Sequence, residues 1–311
     1  MNSSHHPISM IRTALLALAL ALLSFSAVAA GRSVVDAAGR TVLLPAQPQR
    51  VLALSEIDLD SLLALKLKPV GATNGRGQAA MPRYLGNAVH GIASVGGFGS
   101  PVLDLVIAAQ PDLILVGSMP DPQLLAQLGK IAPTAVSYRQ GESWQVALRR
   151  IAAMVGRDAE AEAVLAAYQR RADSVRARLG GQADSTVSVV RWNPQGPAYM
   201  LKDAFASLVL ADVKLRRPAA QMQAGVAHSP PLSLEALPRI DADWLFVGTL
   251  NTSQANDALA AARQSPAFRQ LGAVRKGHMV AVDGTLWTSP GGPLAALEVL
   301  NDIEKAMLDK S

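Results

Sequence analysis

The chain has no cysteine, which excludes a disulfide framework, a thiolate metal site and a lipid carried on an N-terminal cysteine. Aromatic residues make up only 4% of the 311 residues, so the placement of each tryptophan matters. Beyond the first 29 residues the histidines are His90, His228 and His278. They lie far apart with no pair at metal-ligand spacing, so no metal bound directly by the protein and no resident cofactor is expected. Basic residues are scattered rather than gathered into a stripe, which argues against nucleic acid as a partner. No G-x-S-x-G elbow occurs, and Gly75-Arg76-Gly77 and Gly96-Gly97-Phe98-Gly99 are too short for a phosphate loop. These gaps point away from an enzyme; an exported hydrolase whose triad is assembled from distant residues is the alternative of another class. No apolar run reaches the roughly 20 residues that span a bilayer.

The N-terminus carries Arg12, an apolar stretch from Ala14 to Phe25, and the small residues Ala27-Val28-Ala29. This order predicts a cleavable secretory leader over residues 1–29 and a periplasmic protein. Its removal leaves 282 residues, enough for two lobes that each bury a core. Losing Arg12 from the 29 basic residues leaves 28 against 24 acidic, a net charge of +4. That mild bias suits a positively lined pocket for a small anion.

Short apolar runs alternate with helical spacing along the chain. Val51 to Leu54, Val70 to Ala72, Leu113 to Val116 and Thr134 to Ser137 read as strands, with helices from Ile57 to Leu67, Val102 to Ala109 and Gln123 to Leu128. Val187 to Val190, Leu245 to Val247 and Met279 to Val282 repeat the plan, with Ala204 to Leu210 as a helix. One unit recurs closely: Asp104 lies eight residues before Asp112-Leu113-Ile114-Leu115-Val116-Gly117-Ser118, and Glu235 eight residues before Asp243-Trp244-Leu245-Phe246-Val247-Gly248-Thr249. Between the halves, Val164, Leu165, Tyr168, Ala172, Val175 and Leu179 form a helical stripe, with Asp158 as the expected N-cap and Gly180-Gly181 as the stop. The fold class is therefore α/β: two Rossmann-like lobes with mostly parallel sheets, 30–157 and 181–311, joined by one long rigid helix, 158–180.

Taken in order, Val34 to Thr41, Pro48 to Leu52, Ser94-Val95-Gly96, Gln110 to Ile114 and Gly277 to Asp283 resemble the class III periplasmic binding proteins of ABC importers. These serve iron-siderophores, haem and cobalamin. Within that group Asp283-Gly284-Thr285-Leu286-Trp287 and the terminal helix are most similar to ferric-siderophore binders of the ferric dicitrate and ferrichrome type. The resemblance implies a monomer that takes a ferric siderophore into the cleft between lobes, with the iron wrapped by the ligand's own oxygens. It also implies that Asp104 and Glu235, one acid per lobe, dock onto basic residues of the inner-membrane ABC permease; each alone reads equally well as a solvated helix acid.

A bulky chelate calls for aromatic faces and arginine. Strand ends then nominate Ser55, Glu56, Arg76, Tyr138 and Arg139 in lobe one, and Arg191 and Trp192 in lobe two, although Trp192 could instead pack on the helix beneath it. The resemblance adds Trp287 and His228. It also adds Phe98, which stands where several siderophore binders have arginine and so favours a less anionic chelate than citrate. Trp144 and Trp244 are expected in the core. Haem or cobalamin, with Tyr138 as a candidate haem contact, is the alternative cargo.

Overall fold

The structure is a computed structural model that describes residues 31–118, 121–250 and 253–308; the expected leader lies outside them. A hairpin of β1 (Arg32–Val35) and antiparallel β2 (Thr41–Leu44) precedes lobe one. Lobe one continues through β3 (Val51–Ala53), α1 (Glu56–Ala64), β4 (Gly71–Ala72), β5 (Ala93–Ser94) and the small hairpin β6 (Gly96–Gly97) and β7 (Ser100–Pro101). It then runs through α2 (Leu103–Ala108), β8 (Leu113–Leu115), α3 (Pro122–Gly129), β9 (Thr134–Ala135) and α4 (Trp144–Val155). Its five-stranded sheet is parallel, in the order β5-β4-β3-β8-β9.

The connecting helix α5 (Asp158–Leu179) leads to lobe two: β10 (Val187–Asn193), β11 (Gly196–Tyr199), α6 (Phe205–Asp212), β12 (Trp244–Thr249), α7 (Ser253–Gln264), α8 (Pro266–Arg269), α9 (Gly272–Arg275), β13 (Met279–Asp283), α10 (Gly284–Thr288) and α11 (Pro293–Leu308). The order is β11-β10-β12-β13, with β10, β12 and β13 parallel and β11 an antiparallel edge. That edge hairpin is absent from the sequence reading, because Gly196-Pro197-Ala198-Tyr199 carries too little periodicity to show itself.

Alternation sorts the strand residues onto two faces. In lobe one Val51, Ala53, Leu113 and Leu115 join a core shared with α1, α4 and α5, while Leu52, Leu54, Ile114 and Val116 pack with Val106 and Leu128 on the other side. Lobe two splits the same way, with Val187, Val189, Trp244 and Phe246 inward and Val190, Trp192, Leu245 and Val247 outward.

The repeated unit has a common physical basis. Asp112, just before β8, accepts hydrogen bonds from the N–H groups of Gln49 (2.7 Å) and Arg50 (2.9 Å), just before β3. Asp243, just before β12, accepts from the N–H and hydroxyl of Thr186, just before β10, at 2.9 and 2.8 Å. Each carboxylate satisfies the backbone donors that open the neighbouring parallel strand.

Helix α5 buries Ala161, Leu165, Tyr168, Ala172, Val175 and Leu179. Arg157, not Asp158, is its N-cap and makes no side-chain cap bond; Asp158 sits inside the first turn with Glu160, where a negative charge favours the helix dipole. Arg171 reaches across to Glu304 and Asn301 of α11 at 2.8–3.1 Å. Helix α11 packs on α5, α1 and α6, so the terminal helix ties the lobes together rather than belonging to the second alone.

Candidate ligand-binding cleft

The cleft starts at the N-terminus of α1. Ser55 is the N-cap, accepting from the Asp58 N–H at 3.2 Å and donating its hydroxyl to Asp58 Oδ2 at 2.6 Å. The other Asp58 oxygen accepts a short hydrogen bond from the Ser137 hydroxyl, which in turn accepts from the Gly117 N–H at 3.0 Å. Gly117 has φ +55°, and a Cβ there would lie 2.5 Å from Ser55 Oγ, so only glycine lets the end of β8 pass this cap. A run of buried serine, aspartate and glycine therefore fixes the direction of α1 and the position of its first residue, Glu56.

Glu56 is 5% exposed. Its Oε1 accepts the Arg76 N–H at 2.7 Å, while Oε2 is buried without a hydrogen-bond partner. Burial pushes this carboxyl up to about 7 and Asp283 adds to the rise, against the Arg76 N–H and the charges of Arg76 and Arg191. The Arg76 guanidinium lies 4.2 Å over the Phe98 ring, and its Nε is also buried without a partner. Phe98 is 37% exposed. The aromatic standing where an arginine was expected thus carries a different arginine into the cleft. Arg191, 8% exposed, donates from Nε to Thr288 Oγ1 at 2.8 Å and from a terminal nitrogen to the Thr288 carbonyl. Burial, then repulsion from Arg76, pulls it down to about 10, with Glu56 opposing.

A cleft of about 330 Å³ brings together Ser55, Glu56, Arg76, Phe98 and Tyr138. Ser118, Asp121, Gln140 and Pro290 also line it; the Gly117-Ser118 strand end and the Asp121-Pro122 helix start are signals that could have found the first two. Across the lobes Arg83 pairs with Asp283 at 2.9 Å, and the Thr285 hydroxyl donates to the Arg76 carbonyl at 3.0 Å.

Five expected residues do not line this cleft: Arg191 is turned to Thr288, and four others are elsewhere. Trp192 is 2% exposed and packs edge-on against Phe268, with ring centroids 5.7 Å apart. It shares the outward strand face with Val190, and alternation turns Arg191 the other way, towards Thr288. Trp287 is fully buried, stacked on Phe246 at 4.6 Å with its Nε1–H donated to Asp302 at 2.8 Å. Arg139 is a solvated charge 4.0 Å from Glu142. His228 is half-buried outside the cleft, its Nδ1 2.8 Å from the Ser229 carbonyl oxygen. Trp144 and Trp244 are in the core, against Tyr168 and His278 respectively. Asp104 and Glu235 are exposed, each in the first turn of its helical segment.

Glu56, Asp58 and Asp60 of α1 are all buried, and burial pushes them up to about 7, 6 and 6. Folding therefore favours their protonated forms, so their stabilisation is complete below about pH 4 and is lost as pH rises through 6 to 7. The urea midpoint should fall between pH 5 and 8. Asp58→Asn should reduce the accompanying fall in unfolding free energy by on the order of 1 kcal/mol; an unchanged pH dependence would show that Asp58 does not drive it.

Two lobes with mostly parallel sheets, a helical connection and a cleft at the strand ends of the first sheet make an architecture suited to holding a ligand. Residues 51–286 match the family described as periplasmic binding protein, and the chain belongs to that family. The "Probable siderophore-binding lipoprotein YfiY" of Bacillus subtilis (strain 168) is 30% identical over 285 residues, covering 89% of this chain and 88% of that one. The achromobactin-binding periplasmic protein of Dickeya dadantii (strain 3937) is 27% identical, covering 83% and 86%. Staphylococcus aureus SirA complexed with staphyloferrin B shares the fold at a TM-score of 0.78 and 23% identity, over 90% of this chain and 100% of that one. FeuA from Bacillus subtilis complexed with ferri-bacillibactin aligns at 0.76 and 18%, over 89% and 98%.

Proposed function

We propose that this chain is the binding component of an ABC importer, which captures a ferric siderophore between its lobes outside the cytoplasm and presents it, as a monomer, to the membrane permease. The observation that carries this reading is the pair of buried, unpartnered polar atoms beside one cleft, Glu56 Oε2 and Arg76 Nε. Unmet buried polar groups are costly in an empty protein and are met by a ligand that complements them. A ferric siderophore brings its iron already coordinated, so the protein needs donors, acceptors and apolar walls rather than metal ligands. Relatives named as siderophore-binding and achromobactin-binding each align with most of this chain.

The exposed acids support a docking face. Asp104 has Val102, Leu105 and Ile107 exposed around it, and Glu235 has Leu234. Opposite charge on a permease would complement this pairing of acid and apolar surface.

Because all four tryptophans are buried, calorimetry is the direct readout. Titration with ferric siderophores, haem and cobalamin should show saturable binding of at least one ferric siderophore. Silence towards all of them beside saturable haem binding would overturn the assignment. For any siderophore that binds, Arg76→Ala should lower affinity at least about tenfold, the effect of losing a charged hydrogen bond in a desolvated site; unchanged affinity would remove Arg76 from the contact set.

A further inference from the structure

We propose that Glu56 sets the charge class of the cargo: the cleft is built for a ferric chelate of low net negative charge that carries an amino-type hydrogen-bond donor, not for a polyanionic one. This rests on the proposed function and narrows it. Three observations carry it. Glu56 lines the cleft and is 5% exposed, with one carboxylate oxygen given to the Arg76 N–H and the other given to nothing. The charged groups on the cleft wall are Arg76, Glu56 and Asp121, one cation against two anions. Arg191, the other cation that Glu56 faces, is engaged by the hydroxyl and carbonyl of Thr288.

A polyanion placed here meets one free guanidinium and a buried carboxylate that repels it. A donor arm meets an acceptor with no competing partner. Discrimination of this kind is strong because the wrong ligand leaves a buried polar atom unpaired. Asp121 already accepts from the Gln123 and Leu124 N–H groups as the cap of α3, and Asp283 is paired with Arg83. The Tyr84 hydroxyl is turned to Asp60. Asp121 is exposed, so Glu56 is the buried acid on this wall with an oxygen left to a ligand.

The test compares ferric desferrioxamine B, a trihydroxamate with a free ammonium arm, its N-acetylated form, and ferric dicitrate, by calorimetry at pH 8. The full chain should bind the ammonium form at least about tenfold more tightly than the acetylated form. Glu56→Gln should erase that ratio and strengthen ferric dicitrate binding, whereas Glu56→Asp, which keeps the charge, should retain the ratio. The ratio should also grow from pH 6 to pH 8 as Glu56 ionises beside Arg76, Arg191 and Asp283.

Equal or tighter binding of the acetylated form, or a ratio unchanged by Glu56→Gln in a variant with an unaltered melting curve, overturns the inference. Saturable binding of ferric dicitrate with neither trihydroxamate bound overturns it and leaves the proposed function standing. Silence of the folded protein towards every ferric chelate overturns both.

Discussion

Reversing both exposed acids, Asp104→Arg with Glu235→Arg, is expected to abolish cargo import through the cognate permease while ligand affinity stays within about twofold. The acids lie outside the cleft and engage in none of the hydrogen bonds that shape it. On the proposed docking, reversing the charge of each acid would replace attraction with repulsion at two separated points, and like-charge juxtaposition across an interface costs several kcal/mol. Each single reversal should weaken import less than the pair. Transport assays with radioactive iron beside calorimetric affinities would check this. Normal import in the double variant would make both acids ordinary solvated charges.

The second large effect is on stability, at Asp60. Its carboxylate lies on α1 of lobe one but serves the start of α11: Oδ1 and Oδ2 accept from the Leu294 and Ala295 N–H groups at 2.8 Å each, and Oδ2 also accepts the Tyr84 hydroxyl at 2.9 Å. Pro293 opens that helix without an N–H, so these are its first donors in need of a partner. The approach is close enough that a Cβ on Gly292 would lie 2.5 Å from Asp60 Oδ1. Asp60→Ala leaves two buried backbone donors and a buried phenol unpaired, which should cost about 3–5 kcal/mol. For a chain of this size the melting temperature should drop by on the order of 10 °C. Asp60→Asn keeps the volume and one acceptor oxygen, so it should cost roughly half as much. Urea unfolding would measure both, and a loss below about 1 kcal/mol for Asp60→Ala would refute the clamp.

The legible parts of this protein are those whose signal is local. Four of the five strands of the first sheet, three of the four of the second, the helix from Asp158 to Leu179 and the repeated acid-to-strand unit can be read because alternation, helical stripes and glycine stops are properties of neighbouring residues. Burial misled the reading of the tryptophans. Trp192 stands at a strand end and Trp287 in the short helix after β13, both expected at a cleft, yet both point into cores. For Trp192 the parity was available in principle, since Val190 and Trp192 share one face and Arg191 takes the other. For Trp287 it was not, because its partners Phe246 and Asp302 are distant in sequence.

The amino-acid sequence by itself determined the α/β architecture, the two-fold repeat of its units and the kind of residue available for binding, because each depends on periodicity and composition along the chain. Only the tertiary structure decided which of those residues share a cleft. That Phe98 supports Arg76, that Glu56 keeps an unpaired oxygen, and that Asp60 caps a helix more than 230 residues further on depend on contacts between distant segments. Such contacts follow from how the helix layers close over the two sheets, and no local pattern encodes them.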